Sequence, residues 1–154
     1  GNWVLDRACR QIQQWQQEGL STLPISVNVS PIELRNKNYA ENVLQTIEKY
    51  RIAANLLEIE ITENAIIEDR KTVINNLNLL SENQVIISLD DYGKGFSSLD
   101  TLRSFPIHIV KIDRSFIQDI RNTYNDNAIV YSINIIYTYE EPYDLDNGIG
   151  IMAR

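Results

Sequence analysis

Two adjacent aspartates, Asp90 and Asp91, follow a short apolar stretch and precede a loop with glycines at 93 and 95. Residues 85–90 alternate between apolar and other side chains at the two-residue period of a β-strand. The pair is therefore expected at the carboxyl end of a strand, where parallel α/β folds place catalytic and metal-binding groups. Taken alone, such a pair is more often a solvated acidic turn.

Three other segments place a polar residue at a comparable position: Asn28 in ISVNVS, Glu60 in LLEIEITE and Lys111 in HIVKID. In each segment one parity is apolar and the other carries the polar group. If the apolar parity packs against helices, these three residues and Asp90 project to one inner side. Burying such groups costs roughly several kcal/mol each unless they are paired or bind a metal. We interpret them as one site; the alternative is an internal salt-bridge layer without chemistry.

Helical periodicity separates these strand patterns. Apolar residues recur at helical spacing from Trp3 to Trp15, from Tyr39 to Ile47, from Val73 to Leu80 and again within 129–136, and Asp69 is a candidate N-cap. We expect both tryptophans to lie in the core. Alternation of strands and helices predicts a parallel sheet with helices outside.

The predicted fold is α/β, a partial TIM-like (β/α)8 barrel with about four parallel strands and outer helices. A complete barrel needs about 250 residues, and this chain has 154. Open sheet edges are therefore expected at the Ile25 strand and the Ile109 strand, where another chain can pair.

Composition narrows the classes of function. The net charge of -7 argues against a nucleic-acid binder or an anionic-membrane binder. One histidine and one cysteine make a zinc site unlikely to form, so any metal would be held by oxygen, which favours Mg²⁺ or Mn²⁺. The lone Cys9 favours a reduced, cytoplasmic setting. No apolar run approaches the roughly 20 residues of a membrane span, and no signal peptide is expected.

Five ordered segments resemble the EAL domain family of bacterial phosphodiesterases, which hydrolyse cyclic di-GMP to linear pGpG: GNWVLDRACRQIQQW, ISVNVSPIEL, LEIEITEN, ISLDDYGKGFSSL and FPIHIVKIDRSFI. The resemblance covers residues 1–136 and leaves 137–154 as a divergent C-terminal tail. It implies a (β/α)8-type barrel with a two-metal site, in which Mg²⁺ or Mn²⁺ activates a water for attack on the phosphodiester.

The resemblance also assigns roles to single residues. Lys111 matches the lysine that orients the attacking water, and Glu63 matches the glutamate that anchors the loop after the central strand. Glu58 lies one layer deeper than the others, and we interpret it as structural and paired with a basic group. Substrate-binding residues are left unassigned. The implied metal ligands are Asn28, Glu60, Asp90 and Asp91.

The chain departs from the family pattern at both ends. No Glu-Ala-Leu motif is present, and nothing after Ile136 matches the family's later metal-binding glutamate. Glu140 and Glu141 precede a proline in a segment without strand alternation, so we do not carry that role to them. Within the match, Lys94 replaces a threonine and His108 stands where aspartate is common.

Two functions follow from this pattern. The first is an EAL-type phosphodiesterase domain that, lacking two metal-binding glutamates, is expected to show negligible turnover as an isolated monomer. The second is a non-catalytic remnant that acts as a binding or dimerisation module in cyclic di-GMP signalling. In the second case a homodimer would form through the exposed sheet edges.

Overall fold

The computed structural model describes residues 1–67, 69–92, 103–113 and 150–153. Within these ranges the helices and strands alternate as the sequence predicts. In chain order they are α1 (Asn2–Gln17), β1 (Ile25–Asn28), α2 (Pro31–Leu34), α3 (Tyr39–Tyr50), a 3₁₀ turn (Ala54–Leu56), β2 (Leu57–Thr62), α4 (Glu63–Ile67), α5 (Arg70–Glu82), β3 (Ile86–Tyr92), β4 (Ile109–Ile112) and β5 (Gly150–Ala153).

The strands form one sheet in the order β1-β2-β3-β4-β5, and all four pairings are parallel. The three long helices pack beside one another, α1 against α3 and α3 against α5, and α1 and α5 also contact the sheet. Two residues separate the short helix α2 from the end of β1, and α4 follows β2 directly. The four predicted parallel strands and their outer helices are thus confirmed.

Local sequence explains where the helices start and which side they bury. Asp69 caps α5, and its Oδ1 accepts a hydrogen bond from the backbone N–H of Thr72 at 3.5 Å. Ser30 and Glu33 form a reciprocal capping box at the start of α2. Helix α1 buries residues spaced three and four apart, which form one stripe of the helix: Leu5, Ala8, Cys9 and Ile12.

The expectation that Trp3 is a core residue is wrong, because its side chain is 73% exposed. Trp3 precedes Leu5 by two residues, which places it about 200° around the helix from the buried stripe. Its ring instead lies 6.0 Å from the guanidinium of Arg7. Trp15 is half-buried.

One of the two expected open edges is also absent. The strand that begins at Ile109 is covered by β5, whose Gly150 pairs with Ile109 and whose Ala153 pairs with Ile112. Four residues that begin with glycine are too few to show the alternation that reveals a strand from sequence. In the part of the chain that the structure describes, the outer edges of β1 and β5 lack a partner strand.

None of the helices in the described ranges is long and apolar enough to cross a membrane. The last predicted helix, within 129–136, lies outside the described residues.

Candidate active site

Strand register decides which side chains share a face of the sheet. Asn28 lies beside Glu60, and Glu60 lies beside Ser88 on β3. Asp90 lies beside Thr62, one pleat nearer the carboxyl edge. Because residues at the same level of parallel strands point to the same side, Asn28, Glu60 and Asp90 line one face.

Lys111 lies on β4 and reaches this face. Its Nζ is 2.8 Å from Oε2 of Glu60 and 2.6 Å from Oε1 of Glu58. Lys111 and Glu60 are each 2% exposed and Glu58 is 4% exposed. The predicted basic partner of Glu58 is therefore Lys111.

Electrostatics keep this cluster charged. Burial opposes the charged form of Glu58, but hydrogen bonds from Lys111, Ser88 and Ser26 outweigh it and hold the pKa of Glu58 below its usual value. Burial likewise opposes the charged form of Lys111, but its bonds to Glu58 and Glu60 outweigh it and raise the pKa of Lys111. An ammonium beside the carboxylate of Glu58 is thus the state at neutral pH.

Ser88 completes the cluster and was not singled out from the sequence. It is fully buried, and its Oγ donates a hydrogen bond to Oε1 of Glu58 at 2.6 Å. The available signal was its parity, because Ser88 precedes Asp90 by two residues and so points to the same face.

The paired aspartates interrupt the regular strand. The register between β3 and β4 shifts between Leu89 and Tyr92, which marks a β-bulge or a related irregularity. Within it, Asp91 has φ of 56°, in the left-handed region that non-glycine residues rarely adopt. Such irregularities re-aim side chains next to active sites. Asp90 and Asp91 are both half-buried here.

Glu63 is the first residue of α4 and is 5% exposed. The loop that the family resemblance expects it to anchor, residues 93–102, lies outside the described residues, as do Lys94, Glu140 and Glu141. Tyr92 ends β3 with its ring buried.

His108 lies at the start of β4, away from the charged cluster. The backbone N–H of Ile87 donates to its Nδ1 at 3.0 Å, and its Nε2 is 3.3 Å from Oγ of Ser81. Burial lowers the pKa of His108. The residue ties β4 to β3 and α5, which is a structural role.

The donor set fits part of a divalent-cation site. An amide oxygen and carboxylate oxygens share one face, and hard oxygen donors suit Mg²⁺ or Mn²⁺. Asn28 is exposed at the end of β1, so its amide faces solvent. Across the described ranges, however, no three acidic, histidine or cysteine side chains converge tightly enough to hold a metal ion. The assignment of Asn28, Glu60, Asp90 and Asp91 as ligands stays a prediction.

Comparison with known proteins shows which family this chain resembles. The sequence profile of the EAL domain matches residues 1–136. The signaling protein YkoW of Bacillus subtilis (strain 168) is 38% identical over 121 residues, which are 79% of this chain and 15% of that protein. The cyclic di-GMP phosphodiesterase NbdA of Pseudomonas aeruginosa is 37% identical over 132 residues, which are 86% of this chain and 17% of that protein.

A solved structure supports the same grouping. The PaMucR phosphodiesterase in complex with c-di-GMP has a TM-score of 0.79 and 32% identity, covering 99% of this chain and 59% of that chain. By contrast, the chain spans less than a fifth of the length of YkoW and of NbdA. Its parallel strands and outer helices form part of the TIM-barrel fold of these domains. On this evidence the chain belongs to the EAL domain family.

Proposed function

We propose that this chain is part of a phosphodiesterase that hydrolyses cyclic di-GMP to pGpG with the help of divalent cations. The observation that carries the proposal is the contact of Lys111 with Glu60 on the face that Asn28 and Asp90 also line. Relatives that are 37% and 32% identical bear the names of a cyclic di-GMP phosphodiesterase and of a phosphodiesterase bound to c-di-GMP.

In the proposed reaction a water molecule loses a proton to solvent as its oxygen bonds to phosphorus, the bond from phosphorus to the 3′ oxygen breaks, and that oxygen takes up a proton. Bound Mg²⁺ or Mn²⁺ would supply Lewis acidity to the phosphoryl group and the water. Asn28, Glu60, Asp90 and Asp91 would hold the cations by their side-chain oxygens. Lys111 has three N–H donors, of which two point to Glu58 and Glu60. The third is the donor that orients the water.

A single-turnover assay tests this proposal. Excess chain is mixed with cyclic di-GMP and Mn²⁺, and formation of pGpG is followed by chromatography. We expect negligible multiple turnover and at most a trace of pGpG in a single turnover, because two glutamates of the family pattern have no match here, and we expect chelation with EDTA or the Asp90→Asn substitution to abolish that trace. Asp6→Asn is the matched control, since Asp6 lies on α1 and pairs with Lys49 instead. Equal rates for Asp90→Asn and the unsubstituted chain would refute the proposal.

The second candidate function, a dimerisation module, is favoured by a different observation. The outer edge of β1 has no partner strand in the described ranges, and the exposed large apolar side chains of those ranges all lie between residues 3 and 32, the part of the sequence that contains β1. We propose that a second copy of the chain covers it, because an identical edge on the partner satisfies both edges at once. A dimer without turnover and without affinity for cyclic di-GMP would favour this function over the first.

A further inference from the structure

Lys111 has two carboxylate partners, and the proposed catalytic roles involve only one of them. Glu60 is a proposed cation ligand, whereas Glu58 lies one pleat deeper, beside Ile86 on the neighbouring strand. The ammonium is 2.6 Å from Glu58 and 2.8 Å from Glu60. Glu58 is thus at least as close a partner of Lys111 as Glu60 is.

The carboxylate of Glu58 is fixed from a second direction. Ser88 is fully buried, and its Oγ donates at 2.6 Å to the same oxygen that accepts from Lys111. A carboxylate oxygen with two short donors in a buried position has little freedom to turn. Glu58 and Ser88 together therefore fix the position of the Lys111 ammonium.

This arrangement bears on Glu60. If Glu60 were the only anion beside Lys111, coordination of a cation by Glu60 would leave the buried ammonium without a full counter-charge, which is costly. With Glu58 in place, Lys111 keeps a carboxylate partner when Glu60 coordinates a cation.

We propose that Glu58, held by Ser88, is a positioning residue that fixes the ammonium of Lys111 and leaves Glu60 able to coordinate a divalent cation. The part that concerns the cation rests on the proposed phosphodiesterase function. The part that concerns Lys111 rests on the contacts alone.

The first measurement is the mobility of the ammonium. ¹⁵N relaxation of the Lys111 side chain is recorded for the unsubstituted chain and for the Glu58→Gln and Ser88→Ala variants. Both variants are expected to increase the motion of the ammonium, and Ser88→Ala does so without any change of charge. Glu48→Gln on α3 and Ser21→Ala in the exposed segment before β1 are matched controls outside the cluster, and they are expected to leave Lys111 unchanged. Should Glu58→Gln not fold, Ser88→Ala decides the result.

The second measurement is the affinity for Mn²⁺ by calorimetry. Loss of a group that supports a ligand typically weakens metal binding about 10- to 100-fold, so we expect about tenfold weaker binding for Glu58→Gln and a smaller loss in the same direction for Ser88→Ala. An ammonium whose motion is unchanged in the variants overturns the proposal. So does an unchanged Mn²⁺ affinity when the unsubstituted chain binds the ion. If the unsubstituted chain binds no Mn²⁺, the relaxation data still decide the positioning of Lys111, and the phosphodiesterase proposal is the one that fails.

Discussion

At the scale of single residues, Lys111 is the charge on which the inner face depends. Its ammonium is 2% exposed and stands between two carboxylates that are themselves buried. Removing one member of such a cluster leaves a buried charge without its partner. This lowers the free energy of unfolding more than replacing the whole cluster by apolar side chains would.

We expect Lys111→Met to lower the free energy of unfolding by about 3–5 kcal/mol, because Glu58 and Glu60 then face each other without a cation. Urea unfolding followed by circular dichroism measures the loss. In the variant Glu58 loses the ammonium that lowers its pKa, and burial then favours its protonated form, so the deficit should shrink as the pH falls from 7 toward 5. Lys49→Met is the control, since Lys49 forms an exposed ion pair with Asp6 and should change stability little. Similar effects of the two substitutions would contradict the prediction.

The buried His108 is expected to give the stability of the fold a second dependence on pH. Burial lowers the pKa of His108, and its Nδ1 accepts from Ile87, which requires an unprotonated nitrogen. Between the folded pKa and the unfolded value of about 6.5, the unfolded chain binds more protons, so stability falls as the pH falls through this window. His108→Asn keeps an acceptor but does not titrate. The variant should lose less stability than the unsubstituted chain between pH 7.5 and 5.5, and parallel losses would disprove the assignment.

At the scale of elements, the alternating strands were predictable and the departures from regularity were not. The apolar parity of β1 to β4 and the cap at Asp69 are local signals that the structure confirms. The register shift at the paired aspartates depends on how β4 aligns with β3, which no local pattern encodes. The four residues of β5 likewise become a strand only because β4 offers an edge.

The effect of the strained backbone at Asp91 can be separated from the role of its carboxylate. Asp91 has φ of 56° and Arg51, at the end of α3, has φ of 52°. A left-handed conformation costs a side-chain-bearing residue roughly 1–2 kcal/mol, so glycine should be more stable than alanine at each position by about 1 kcal/mol. Chemical denaturation of the four variants measures this. Only the two substitutions of Asp91 should also weaken Mn²⁺ binding, and a loss of affinity on Arg51→Gly would show that the assay reports strain and not ligation.

At the scale of the whole molecule, the grouping of polar side chains on one face of the sheet was predictable from the sequence, whereas the ion pairs among them were not. The strand parity of Asn28, Glu60, Asp90 and Lys111 predicts that they lie on one side of the sheet, because side chains alternate between the two faces along each strand. That Lys111 pairs with both Glu58 and Glu60 can be seen only from the strand register and from the contacts in the structure. The salt-bridge layer and the proposed catalytic site therefore overlap in the same side chains and are not alternatives.

The open edge of β1 gives the last prediction. Val29 donates its backbone N–H to Glu60 on β2, so the N–H of Ser26, three residues earlier, points away from β2 because successive N–H groups alternate in direction along a strand. Ser26→Pro removes this outward donor, and proline on an edge blocks strand pairing. Ser26→Ala is the matched control, since it also loses the side-chain bond to Glu58 but keeps the backbone N–H.

We expect the unsubstituted chain and Ser26→Ala to self-associate in sedimentation velocity, and Ser26→Pro to need at least about tenfold higher concentration. The net charge of -7 opposes association of two copies, so the dimer should strengthen as salt screens the repulsion. A stable strand-paired dimer must bury at least about 1,000 Å², so exposed apolar side chains such as Leu20, Leu23 and Ile32 would have to join the strand edge in the interface. A chain that stays monomeric at every salt concentration, or that dimerises equally with proline at 26, would show that this edge does not pair with a second copy.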